Sequence, residues 1–213
     1  MALLAHAKLR LSALLLAVFT ATQVASAAGT ELTEAEIADL QAGQMVVRVD
    51  DVDRGGRHYI GGVSYVTINA PAEQVIGVLD DVRTYREILP RTRSLRWIGI
   101  ARDGDTIIEL EQGNAIAHAK YAVRIHHDRK AASSSAVIRF WLDRRYPHDI
   151  DDANGFFQVE TVGDKTLLTY LVMIDIGAGF WGHMFEGRIR RAALSTPMLV
   201  KKYVESHAPA PAT

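Results

Sequence analysis

Residues 93–176 read as one strand after another, and residues 180–206 read as one long helical pattern. This lopsided order restricts the fold more than any other feature of the chain. The links between strands are short, with turns at Asp103-Gly104-Asp105 and Gly163-Asp164. Short links favour hairpins, so the strands should form an antiparallel meander. Apolar residues alternate within them: Tyr121, Val123 and Ile125; Ile138, Phe140 and Leu142; Leu168, Tyr170, Val172 and Ile174. Lys120, Arg124, His126 and Arg139 take the opposite parity, so one sheet face is covered and the other is wet.

Strands are expected over 94–101, 106–117, 118–127, 135–142, 153–162 and 166–176, preceded by two more over 45–52 and 57–69. Gly55-Gly56 and Gly61-Gly62 mark turns or bulges there. A helix is predicted over 31–42, with Thr33 as cap, Glu36 as its capping-box partner and Gly43 as stop. Its thin apolar stripe, Leu32, Ile37 and Leu40, suits a segment packed outside the main domain. A second helix should open on Pro71 in the first helical position and present Val75, Ile76, Val78, Leu79 and Val82. Asp80-Asp81 closes it, and an aspartate oxygen can cap the next short helix near 85–88. In the last helix Phe185, Ile189, Ala192, Ala193, Val200 and Tyr203 recur at helical spacing. Pro197 should kink or divide it.

The first 27 residues have the pattern of a cleaved secretory signal: Lys8 and Arg10, an apolar stretch over 11–21, and Ala25-Ser26-Ala27. The apolar stretch is too short for a membrane span. The expected product is exported, periplasmic or secreted. Residues 28–56 would supply the outer helix and a lead-in strand, 57–206 the main domain, and 207–213 a disordered Pro/Ala tail.

The chain has no cysteine, which excludes disulfides and cysteine metal sites. Without Lys8 and Arg10 the balance is 22 basic against 25 acidic residues, about −3. That near balance argues against broad nucleic-acid binding. Basic clusters at 83–96 and 188–191 could meet anionic headgroups in a transient membrane contact, although a solvated face is the commoner fate of such clusters.

The order of strand, short helix pair, meander and terminal helix resembles the START / Bet v 1-like (SRPBCC) superfamily, including its coenzyme Q-binding and polyketide cyclase-like branch. The residues that carry this are Ala70-Pro71, Val75, Val78-Leu79-Asp80, Tyr85 and Leu89-Pro90. Asn154-Gly155-Phe156-Phe157, the run 165–170 and the terminal helix support it, over roughly residues 59–204. The resemblance implies an α+β helix-grip fold, with a curved antiparallel sheet around a long C-terminal helix and a pocket between them. It also implies a hydrophobic ligand, such as a lipid, sterol, quinone or polyketide. It names no reaction.

A curved sheet is wider than one helix can fill, so either large side chains or a guest must occupy the gap. Candidate ligand-binding residues are Leu89, Trp97, Tyr121, Phe140, Tyr170, Trp181, Met184, Phe185 and Ile189, although ordinary core packing is the commoner role for each. Arg188 or Tyr170 would orient a polar head. Acid–base candidates for an enzyme would be His127, His183 or Glu186. His126-His127 points to opposite strand faces and cannot readily chelate one ion. The acidic loop 148–152 lacks the pattern of a calcium site. Glu109 and Glu111 should lie on the wet face. No catalytic residue, metal or cofactor is assigned. The leading expectation is an exported carrier of a hydrophobic small molecule. Its rivals are a cyclase or dehydratase acting on a polyketide-like substrate in the same cavity, and an interaction module whose pocket is filled. Ligand identity and oligomeric state stay open.

Overall fold

The computed structural model describes residues 31–115, 117–129, 135–177 and 180–207, without the side chains of residues 129 and 180–184. The expected signal peptide lies outside the described residues, as does the expected tail beyond His207. Eight strands form one antiparallel sheet: β1 (Val46–Arg54), β2 (Arg57–Ile68), β3 (Thr92–Ile100), β4 (Thr106–Gly113), β5 (His118–Arg129), β6 (Ala136–Leu142), β7 (Asp152–Val162) and β8 (Lys165–Asp175). Their spatial order is β1-β2-β8-β7-β6-β5-β4-β3. The helices are α1 (Glu34–Gln41), α2 (Ala72–Asp80), α3 (Tyr85–Ile88), α4 (Phe180–Leu194) and α5 (Thr196–Ser206). After β2 the chain crosses to the far edge through α2 and α3. It then meanders back until β8 lies beside β2.

The expected elements are present, with three shifts. The lead-in strand is the sheet's own edge: β1 pairs with β2 from Val46–Tyr65 to Arg54–Arg57. Strand β4 stops at Gly113, which has φ 134°, and Asn114 closes the hairpin by donating its N–H to Ala117 O at 2.8 Å. Pro71 is the N-cap of α2 and not its first helical residue, because its ψ of 149° is extended. Asp81 caps the following 3-10 turn, its Oδ1 accepting from Arg83 N at 3.0 Å.

Pro197 divides the terminal helix. A proline has no N–H to give to Ala193 O, four residues back. The Thr196 hydroxyl donates to that carbonyl instead, at 2.7 Å. The carbonyl of Leu194, at the end of α4, accepts from the buried Ser64 hydroxyl of β2 at 2.8 Å. On α5, Lys201 Nζ donates to Thr67 O at 2.6 Å, and Glu205 accepts from Asn69 N at 2.9 Å. Both halves of the rod are thereby fixed to β2.

The two halves cover different things. Helices α2, α3 and α5 close a solid core in which Val75, Leu79, Ile88, Val200 and Val204 meet Val66, Ile68, Val159 and Leu168. Helix α4 packs mainly against β2 and β8. Small residues let neighbouring strands approach closely. Any Cβ on Gly61 would lie 1.9 Å from Val172 O, and one on Gly155 would lie 2.1 Å from Leu171 O. Gly61 and Gly155 flank β8 on either side, paired with Met173 and Val172, so the tight points lie across three adjacent strands.

Candidate functional site

Between α4 and the concave sheet lies a cavity of about 360 Å³. Its back wall is aromatic. Phe157 and Tyr170 stack with ring centroids 4.5 Å apart, and Phe140 lies 6.0 Å from Tyr170. Phe140 faces Gly155 across the β6–β7 pair, where any Cβ would come within 2.5 Å of its ring. The missing side chain makes the space that the ring fills. Val123, Ile125, Val172 and Ile174 continue the wall along β5 and β8, and Phe185, Ile189 and Ala193 of α4 form the roof.

Three phenols reach this wall, and two of them are served by the protein. The Tyr85 hydroxyl donates to Leu79 O at 2.8 Å. The Tyr121 hydroxyl donates to Gln112 Oε1, whose amide in turn donates to Pro90 O at 3.0 Å. The Tyr170 phenol lies beside Thr196. Burial pushes all three well above the usual tyrosine range, so they stay neutral. Tyr85 and Tyr121 therefore ask for no polar partner from a guest.

The mouth is different. Arg91, Asn114, His118, Asp149 and Arg188 line the cavity together with its apolar residues. Asp149 already accepts from Lys120 N at 2.8 Å, and His118 lies 3.9 Å from Glu111. Arg188 is exposed, with its guanidinium 5.8 Å from the Phe185 ring centroid.

Of the residues singled out from sequence, Leu89, Tyr121, Phe140, Tyr170, Phe185, Arg188 and Ile189 line the cavity. The side chains of Trp181 and Met184 lie outside the described residues. Trp97 does not line it. It pairs with the buried Ile108, but β3 is the edge strand, and Trp97 is left 56% exposed. Tyr170, the other candidate to orient a polar head, lies on the aromatic back wall, stacked on Phe157. Sequence reasoning left out Val123, Ile125, Val172 and Ile174 as wall residues, although they share the parity of Tyr121 and Tyr170. It also left out Arg91 as a lining residue, noting it only as part of the basic cluster 83–96.

The acid–base candidates do not converge here. His127 is absent from the lining, and its Nδ1 lies 2.9 Å from Asp80 Oδ1. Burial, with His126 beside it, holds its pKa below the ordinary histidine value. Glu186 is also absent from the lining, and the His183 side chain lies outside the described residues. Glu109 and Glu111 pair on the outer face with Arg96 and Arg93 at 3.1 and 3.5 Å. In the acidic loop, Asp152 is held by Arg144 at 3.1 Å and by the Tyr59 hydroxyl at 2.7 Å. Among the described residues no three His, Asp or Glu side chains are grouped to hold a metal.

A curved eight-stranded antiparallel sheet closed over a cavity by a C-terminal helix is the α+β helix-grip fold. Comparison with solved structures shows the same architecture. A STAR-related lipid transfer protein from Xanthomonas axonopodis (fragment 25–204) matches at 16% identity and a TM-score of 0.62, over 83% of this chain and 97% of that one. The Zhui aromatase/cyclase from Streptomyces sp. R1128 matches at 19% identity and 0.55, over 78% and 98%. Human StAR-related lipid transfer protein 5 matches at 10% identity and 0.56, over 74% and 86%. No protein-family model matches the chain, and no curated protein sequence does.

Proposed function

We propose that this protein is an exported carrier that holds a hydrophobic small molecule (a lipid, isoprenoid or quinone-like compound) beneath α4. The observation that carries this reading is a cavity of about 360 Å³ with an aromatic wall, where the Tyr85 and Tyr121 hydroxyls are already hydrogen-bonded to the protein. Ligand pockets span roughly 300–1,000 Å³. This volume lies near the lower limit, which suits one slender guest better than a two-chain lipid. Leu89, Tyr121, Phe140, Tyr170, Phe185 and Ile189 would enclose the apolar body, and Arg188 would meet a polar end. Apolar burial drives such binding, at about 25 cal/mol per Å² before ordering costs. Solved lipid transfer proteins with this fold support the assignment.

Export is supported by the signal-like pattern of residues 1–27. Transient contact with a membrane is supported by Trp97 and Ile100 on the edge strand, 56% and 68% exposed. A cyclase reading has a solved neighbour in its favour. Against it, no acid–base pair reaches the inner wall among the described residues. The unfilled cavity weighs against a closed interaction module.

The test is mass spectrometry of the organic extract of natively purified protein, followed by binding to a panel of lipids, isoprenoids and quinones. A co-purifying hydrophobic compound at near-stoichiometric level is expected. An empty extract together with no binding across the panel would overturn the proposal.

A further inference from the structure

The cavity opens beside a second, shallower cleft that shares Pro90, Arg91, Arg188 and Ala192 with it and adds Arg191, Ser195 and Leu199. Three guanidinium-bearing residues thus surround one opening. They come from two separate parts of the chain: Arg91 from the turn before β3, and Arg188 and Arg191 from successive turns of α4.

These arginines differ from most others in the molecule. Arg48, Arg57, Arg83, Arg96, Arg124 and Arg145 each lie within 4.0 Å of a carboxylate. Among the described residues, Arg91, Arg188 and Arg191 have no carboxylate partner. Among the described residues the polar contact of the Arg191 side chain is the Gly187 carbonyl on its own helix, at 3.1 Å. Arg91 carries a second mark. Among the described residues it is the one non-glycine with a positive φ, at 56°. That conformation is disfavoured for a long side chain and is held here by Gly113 N donating to Arg91 O at 2.9 Å.

We infer that the guest is an amphiphile with an anionic oxygen headgroup, carboxylate or phosphate, and that Arg91, Arg188 and Arg191 receive that head at the cavity mouth. The inference rests on the carrier reading and makes it more specific. Two halves of the site divide the work. The inner wall is largely apolar, with the Tyr85 and Tyr121 hydroxyls satisfied, and selects for an apolar body. The mouth offers planar, always-charged donors with no carboxylate of their own among the described residues, which match carboxylate and phosphate oxygens. One chain of the guest would pass from the arginine cleft under Ala192 into the aromatic end.

The experiment compares tetradecanoic acid, tetradecyl phosphate and tetradecan-1-ol by titration calorimetry, with inorganic phosphate alone as a fourth ligand. Wild type is set against an Arg91→Asn, Arg188→Gln, Arg191→Gln variant. Asparagine is chosen at position 91 because it tolerates a positive φ. Wild type should bind the two anions about tenfold or more tightly than the alcohol. The variant should lose that preference, retain the alcohol affinity and melt no earlier than wild type. Equal wild-type affinity for acid and alcohol, or a preference that survives in the variant, would overturn the headgroup assignment and leave the carrier reading standing. Binding of none of the three chains would overturn both. Tight binding of inorganic phosphate without chain binding would show an anion site only and would also overturn it.

Discussion

At the scale of single residues, the cavity is defined by which polar atoms have been taken out of play. Thr196 is the clearest case. Its hydroxyl gives its proton to Ala193 O, the carbonyl that Pro197 cannot serve. One buried side chain therefore repairs the helix break. Thr196→Val keeps the shape and removes that bond. It should lower stability by about 1–3 kcal/mol, the range for leaving a buried polar group unpaired. Chemical denaturation measures this, and an unchanged midpoint would show that Ala193 O is served by another donor. Much of the wall was legible in sequence, because strand alternation fixes parity: Tyr121, Phe140 and Tyr170 all point inward. Trp97 was misread for a related reason. Parity states which face a residue takes but not whether anything covers that face, and nothing in its local sequence shows that β3 lies at the sheet's edge.

At the scale of elements, the molecule depends on where neighbouring strands can approach closely. Strands β5, β6 and β8 were readable from their own alternation, and the division of the last helix from Pro197. The close approaches were only half readable. Gly61-Gly62 suggested a turn or bulge, whereas Gly155 was noted only within Asn154-Gly155-Phe156-Phe157, a run that supports the resemblance. Its role depends on the pairings with Phe140 and Val172, which are non-local. Gly155→Val places branched carbons against Leu171 O and the Phe140 ring, which no single rotamer change relieves. It should destabilise the protein by about 1–3 kcal/mol, as overpacking does, and displace Phe140 from the cavity wall. Thermal melting tests the first effect, and the aromatic region of a proton NMR spectrum tests the second. A variant with wild-type melting and unshifted aromatic signals would show that the close approach does not depend on glycine there.

At the scale of the whole molecule, one end of the helix–sheet sandwich is filled and the other is hollow. Helices α2, α3 and α5 share the covering of one end, while α4 alone spans the other. The hydrophobic effect closes the first end by packing and leaves the second as about 360 Å³ of apolar space. Sequence patterning located this division only through the resemblance to a known fold, because volume is a property of the assembled layers and not of any segment. The most direct measurement of the central claim is titration of a neutral hydrophobic fluorophore into wild type and into Ala193→Phe, which fills the roof of the cavity from α4. The account predicts saturable one-to-one binding by wild type, at least about tenfold weaker binding by the variant, and a melting temperature that does not fall. No saturable binding by wild type, or equal binding by both proteins, would contradict it.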